Sequence, residues 1–361
     1  MKKLLIGGVL AALLATPALS QTPPPEPAPR GFAVVAKDPA FSALVSPQAK
    51  LEVLGDRYGL TEGPLWVPEG KDGGFIVFAD LISNVIWKYK PGEGNSVFLD
   101  KAGYSGDDIL NAGTQTKRGR AAVLMIGPNG MTLDDEGRVI WCAPPDGAIM
   151  RLEKDGSRTV IAKSYEGKRF SGVNDIARRS DGALYVTDSV FGLRGAFKSP
   201  QRELQFNGVY LIKDGKVTLL TSDEGKPGAW PNGVTLSPDE KHLYLNEGFQ
   251  NIVRYDVKPY GTVANRTVFI TGEGSDGMKV DTKGNLWTTS GAGPGEVRIT
   301  APDGKRLGVI ELPIPAGEPK RQICATNIAF GDPDGKGLYI TACEEVYRVR
   351  VNVAGVRPLP K

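Results

Sequence analysis

Histidine is almost missing from this chain: one, His242, stands among 361 residues. A Ser-His-Asp or Cys-His nucleophile would have to use it. It lies in Lys241-His-Leu-Tyr-Leu245, on the second strand of a hairpin, and no Gly-x-Ser-x-Gly turn accompanies it. The three cysteines, Cys142, Cys324 and Cys343, contain no Cys-x-x-Cys pair, and no Walker-type phosphate loop is present; structural zinc and nucleotides are therefore not expected. After residue 20 no stretch approaches the ~18 apolar residues needed to span a bilayer. Charge of one sign is also lacking: beyond Lys2 and Lys3 the chain carries 42 basic against 41 acidic residues and no long basic run. Nucleic acid and anionic membrane are not expected partners.

What is present begins with a leader. Lys2-Lys3, an apolar run from Leu4 to Leu14 and a small-x-small site at Ala18-Leu19-Ser20 read as a signal peptide over residues 1–20. Residues 21–30, rich in proline, read as an extended tether, and residues 31–361 as one domain. The expected location is periplasmic or secreted. Gly (46) and Pro (27) make up about a fifth of the chain, a turn-rich composition that fits neither a coiled coil nor a disordered chain.

One pattern recurs six times: a polar anchor, alternating apolar residues, a turn and a second apolar strand. The anchors are Glu62, Asn129, Asn174, Asn232, Asp276 and Asn327. Eight residues after each comes Gly70, Gly137, Gly182, Glu240, Gly284 or Gly335, the turn of a hairpin. The alternation, as in Met131/Leu133 and Val234/Leu236, has period two, and the returning strand carries Trp141, Tyr185, Tyr244, Trp287 or Tyr339 in five of the repeats. Anchor spacings of 44 to 67 residues hold four short strands each, the size of a propeller blade. The fold expected is all-β, a six-bladed β-propeller, with Lys50-Leu-Glu-Val-Leu54 supplying the strand that the last blade lacks, so that both termini share one blade.

In such a ring the anchors open the innermost strands and converge at one end of the central channel. Glu62, Asn174, Asn232 and Asp276 then offer two carboxylates and two amide carbonyls, an all-oxygen set suited to one hard divalent cation, Ca²⁺ above all, with Zn²⁺, Mn²⁺ or Fe²⁺ as alternatives. The competing reading is that these residues only cap turns. Asp175, following Asn174 on an extended strand, is expected to point to the opposite side.

Thr61-Glu-Gly-Pro64, Asn129-Gly-Met-Thr-Leu-Asp-Asp-Glu-Gly-Arg138, Val173-Asn-Asp-Ile176, Pro231-Asn-Gly-Val-Thr-Leu-Ser-Pro-Asp239, Ser275-Asp-Gly-Met278 and Asp281-Thr-Lys-Gly-Asn-Leu-Trp287 resemble the senescence marker protein/gluconolactonase family of lactonases. The resemblance runs from about residue 50 to 350 through all six repeats. Val173-Asn-Asp-Ile-Ala177 is also similar to the paraoxonases, calcium lactonases of six blades, although the paraoxonase histidine dyad cannot exist here. Carried over by position, Glu62, Asn174, Asn232 and Asp276 form a metal shell, with Asp276 both ligand and general base. The resemblance implies metal-assisted opening of a lactone, with a sugar lactone such as gluconolactone as the leading substrate. Asn129 and Asn174 are expected to meet the substrate; for Asn129 and Asn327 turn capping is the alternative. Animal sugar lactonases carry Arg two positions before the residue matching Asn174, where this chain has Gly172. Bacterial relatives match Gly167-Lys-Arg169, which makes Arg169 a substrate-binding candidate.

Two rival functions stand beside this one: a ligand- or protein-binding propeller whose cation only ties blades together, and an arylesterase or organophosphate hydrolase using the same metal. The small-molecule substrate is the one expected partner, and the closed ring is expected to be a monomer. The turn at Asp332–Gly337 would bring Cys324 near Cys343, which leaves open either a disulfide, permitted in an exported protein, or two buried thiols.

Overall fold

The computed structural model describes residues 29–118, 121–224, 228–248, 250–291, 293–314 and 324–360. The leader and the tether up to residue 28 lie outside them.

Six antiparallel sheets follow one another along the chain as the blades of a propeller. Their innermost strands are Thr61–Glu69, Met131–Leu133, Val173–Arg178, Pro231–Leu236, Met278–Val280 and Asn327–Gly331, each beginning at or within two residues of an anchor. All six positions eight residues after an anchor have positive φ, from 56° at Glu240 to 86° at Gly284. That conformation suits glycine, which is why five of the six turns carry it. Helix is confined among the described residues to 3-10 turns of three to five residues.

The apolar face of each strand has nowhere to go but the neighbouring blade, so the core is divided. Six buried clusters fill the six interfaces. Trp141 packs with Leu65 and Val77 between blades one and two, and Trp287 with Ile328 and Phe330 between blades five and six. Trp66 and Phe78 meet Tyr339 where blade six returns to blade one. The hydrophobic stabilisation therefore lies between sheets, and the axis is left as a channel lined by the starts of the inner strands.

The chain ends are used as straps. Leu51–Gly55 forms the outer strand of blade six, antiparallel to Glu345–Arg350. Ala33–Ala36 adds a fifth strand to blade five, an element the repeat pattern does not contain. Arg30, read as the last tether residue, holds that edge through its guanidinium on the carbonyls of Leu312 and Gly295, both at 3.0 Å. The C-terminal residues cross the end of the channel remote from the anchors: Ala354 O accepts from Thr282 N at 2.9 Å, and Val356 N donates to Val280 O at 3.0 Å. At the anchor end two insertions rise instead, a hairpin of Thr114–Arg118 with Ala121–Met125 and the long connection 189–207 inside blade three. Thr114 Oγ1 donates to Leu193 O at 2.9 Å, so the two insertions meet.

Candidate active site

Five of the six residues singled out from sequence line one cavity of about 390 Å³ at the anchor end: Glu62, Asn129, Asn174, Asn232 and Asp276. For Glu62, Asn174 and Asn232 the inward aim comes with a slip in the pairing of the inner strand. The register breaks between Glu62 and Leu65, between Val173 and Ile176, and between Pro231 and Val234. A bulge of this kind bends a strand and re-aims its side chains. Asp175, inside the same slip, does not line the cavity. Its carboxylate accepts from Ile176 N at 2.9 Å and reaches blade four at Val234 N, 3.2 Å away.

Close approach of successive anchors requires glycine after them. A Cβ on Gly233 would stand 2.1 Å from Asp276 O, and one on Gly277 2.0 Å from the Asn327 side chain. The Asn-Gly and Asp-Gly pairs of the repeat thus serve the close packing of the ring.

Glu62 is buried, and its Oε2 accepts two hydrogen bonds, from Gly63 N at 2.7 Å and from Asn327 Nδ2 at 2.9 Å. Among the described residues Oε1 has no donor, so one oxygen is held and the other offered to the cavity. Burial pushes this carboxyl well above its ordinary range, and the charge of Asp276 adds to the rise, outweighing both hydrogen bonds. Asp276 is pushed up to about 7, by burial first, against a hydrogen bond from Asn232 that favours the ionised form. Asp175 raises both. Two carboxylates that hinder each other's ionisation, with no cationic side chain between them among the described residues, suit an external positive charge. A third observation agrees: Asn129 is buried, and its Oδ1 has no hydrogen-bond partner. Among the described residues no three His, Cys, Asp or Glu side chains gather into a metal cluster. Any cation here would rely on amide oxygens beside two carboxylates, a donor set that fits a hard ion better than one preferring nitrogen or sulfur.

Arg169 is not part of this group. It belongs to a short hairpin outside the blades, and its guanidinium donates to the carbonyls of Phe170, at 2.6 Å, and Pro145. It does not line the cavity, because its donors are occupied by the backbone. His242 lies on the hairpin of blade four with Nδ1 3.4 Å from Asp256, and Cys142 is a buried thiol; neither lines the cavity.

Sequence reasoning missed the residues that hold the anchors. Asp80 accepts from Gly59 N and Leu60 N at 2.9 and 3.0 Å. Asp188 accepts from Ser171 N and Gly172 N at 3.1 and 2.6 Å, fixing the approach to Asn174. Asn246 Oδ1 accepts from Ser275 N at 2.7 Å, just before Asp276. Each is a polar residue at or near the end of an otherwise apolar second strand, a signal that was legible. Asn327, read as pocket lining or a cap, is a positioning residue for Glu62. Asn327→Ala is expected to keep the fold and weaken divalent cation binding about 10- to 100-fold by calorimetric titration; unchanged affinity would contradict this role.

Cys324 and Cys343 are joined in a disulfide, 19 residues apart, with Cα atoms at 5.6 Å. Cys324 lines the cavity, while Cys343 O accepts from Thr61 N at 2.7 Å and from Thr61 Oγ1 at 2.9 Å. The bridge therefore fixes, within blade six, the carbonyl that holds the residue before Glu62. Closing a loop of this length stabilises by about 3 kcal/mol. Reduction is expected to lower the Tm by several degrees and to raise the thiol count of denatured protein from one to three; an unchanged Tm would contradict the tie.

The comparisons with known proteins agree with this fold. The family described as the SMP-30/Gluconolactonase/LRE-like region matches residues 60–344. A gluconolactonase of Zymomonas mobilis is 33% identical over 333 residues, covering 88% of this chain and 85% of its own. A diisopropyl-fluorophosphatase of Loligo vulgaris is 25% identical, covering 60% of this chain and 69% of its own. The solved structure of a gluconolactonase from Xanthomonas campestris superposes with a TM-score of 0.70 at 25% identity, covering 91% of this chain and 98% of that one. With the six-bladed ring, the anchors in order and the match from residue 60 to 344, this chain belongs to the SMP-30/gluconolactonase/LRE-like family.

Proposed function

We propose that the protein is a lactonase that opens its substrate's ester bond with the help of one divalent cation, calcium first. The observation that carries this reading is the convergence of Glu62, Asn129, Asn174, Asn232 and Asp276 on the floor of one cavity, in a family whose named members include a gluconolactonase. Glu62, Asn174, Asn232 and Asp276 would hold the ion, and a cation bound there supplies the Lewis acidity that draws electron density from the ester carbonyl.

The chain's own groups do the rest. Glu62 is fixed by Gly63 N and Asn327 Nδ2, so its free oxygen is pre-aimed. Asn232 orients Asp276 by hydrogen bond. Asp276 takes a proton from the attacking water and passes it to the leaving alkoxide, which stays joined to the new carboxyl group through the carbon chain, as the ring opens to the hydroxy acid. Asn129 and Asn174 face the substrate. Export belongs to the same reading: the leader and the Cys324–Cys343 disulfide suit an oxidising compartment.

Gluconolactone, the substrate named for the Zymomonas and Xanthomonas relatives, is the first compound to test. Protein stripped with a chelator is expected to be inactive and to recover hydrolysis on adding back one divalent ion. A cation that raises the Tm while no lactone is opened would favour the binding propeller. Turnover of diisopropyl fluorophosphate alone would favour the organophosphate reading, for which the Loligo relative speaks.

A further inference from the structure

Among the described residues the anchors on the floor supply nearly all the polar side chains of the cavity, and most of the remaining lining is carbon. Leu60, Leu81, Met125, Pro144 and Phe191 form its walls. Among the described wall residues two carry hydroxyls, Thr116 and Thr326. That of Thr326 is engaged with Thr61 O at 2.7 Å and Thr341 O at 3.0 Å, which leaves Thr116.

Positions that could grip a polyol are closed. Gly172 cannot be exchanged for a longer polar residue, since a Cβ there would stand 2.2 Å from Gly192 N. Arg169 is held by backbone carbonyls. The apolar wall also continues outward. Phe191 meets Trp230 edge to face at 6.1 Å, and Trp230 meets Phe197 at 6.2 Å. Phe197 is 48% exposed, and Leu110, on the connection leading into the facing hairpin, is 76% exposed. An aldonolactone entering this space would lose water from several ring hydroxyls and find few partners, which binding sites penalise heavily. A lactone with a hydrocarbon body would lose only unfavourable hydration.

We infer that the substrate class is the apolar lactone, alkyl-substituted or fused to an aromatic ring, with its carbonyl on the floor and its carbon skeleton against Leu81, Met125 and Phe191. This rests on the lactonase reading and narrows it: the sugar ring that kinship suggests is not the ring that the walls fit.

The test compares kcat/KM for dihydrocoumarin and δ-decalactone with that for gluconolactone, using calcium-loaded protein. The apolar lactones are expected to be favoured at least tenfold, chiefly through KM. Phe191→Asn, on a partly exposed turn, is expected to cut that preference about tenfold. A higher kcat/KM for gluconolactone, or a preference unmoved by Phe191→Asn, would overturn the inference. Failure to open any lactone would instead sink the lactonase reading. In that case calorimetry with unreactive lactams still decides the wall chemistry: tighter binding of dihydroquinolinone than of gluconolactam keeps it, and the reverse order or no binding overturns it.

Discussion

Asp276→Asn is expected to lower kcat for lactone opening by about 10³ while leaving the fold intact, since a positioned general base contributes about 10²–10⁴. The substitution keeps a side chain of the same shape beside Asn232 and a carbonyl oxygen facing the cavity. It removes the one group on the floor that is both partly open to the pocket and hydrogen-bonded by Asn232. Glu62→Gln should behave differently. Its oxygen is fixed by Gly63 N and Asn327 Nδ2, and its loss should appear chiefly as weaker cation binding, with activity recovering in excess ion. Steady-state kinetics over a range of calcium separate the two: a deficit at 276 that persists at saturation marks the base, and one that calcium repairs would reduce Asp276 to a ligand.

The second large effect concerns pH. Without a cation Asp276 ionises near pH 7 in the folded protein but near 3.8 in the unfolded chain. Between those values the folded state holds a proton that the unfolded state has lost. Stability contributed by that proton is present in full below about pH 4 and is lost as pH rises through about 7. At 1.36 kcal/mol per unit the loss is on the order of 4 kcal/mol, and Glu62 adds to it in the same direction. A divalent ion replaces the proton, so its stabilising effect should grow over the same window. Asp188, also raised to about 7 by burial, lies away from the floor and should leave a smaller decline that no cation relieves. Thermal unfolding with chelator and with excess calcium, followed from about pH 4 to about pH 8, reads all of this. A chelated protein whose Tm is flat across that range would contradict the buried carboxylate pair.

Much of this was legible in the chain. The anchors and the turn eight residues later specify both ends of each inner hairpin, because a left-handed turn position and a period-two strand are local requirements. The aromatic residue on the returning strand marks the core between blades, as at Trp141 and Trp287. Less legible was whatever depends on contacts between distant segments. Ala33–Ala36 looks like any short apolar run, and only the open edge of blade five gives it a partner. Arg169 matched a motif, but its orientation is set by the carbonyls of Phe170 and Pro145. Asn327 became a support for Glu62 only because blade six closes against blade one, 265 residues away in sequence.

The account stands on one divalent ion held by Glu62, Asn174, Asn232 and Asp276. Calorimetric titration of calcium into metal-stripped protein at about pH 7, where the pair still holds protons, tests it most directly. One ion per chain is expected, bound with release of protons from the carboxylate pair and lost in Glu62→Gln/Asp276→Ala. Absence of binding, or binding that survives both substitutions, would contradict it.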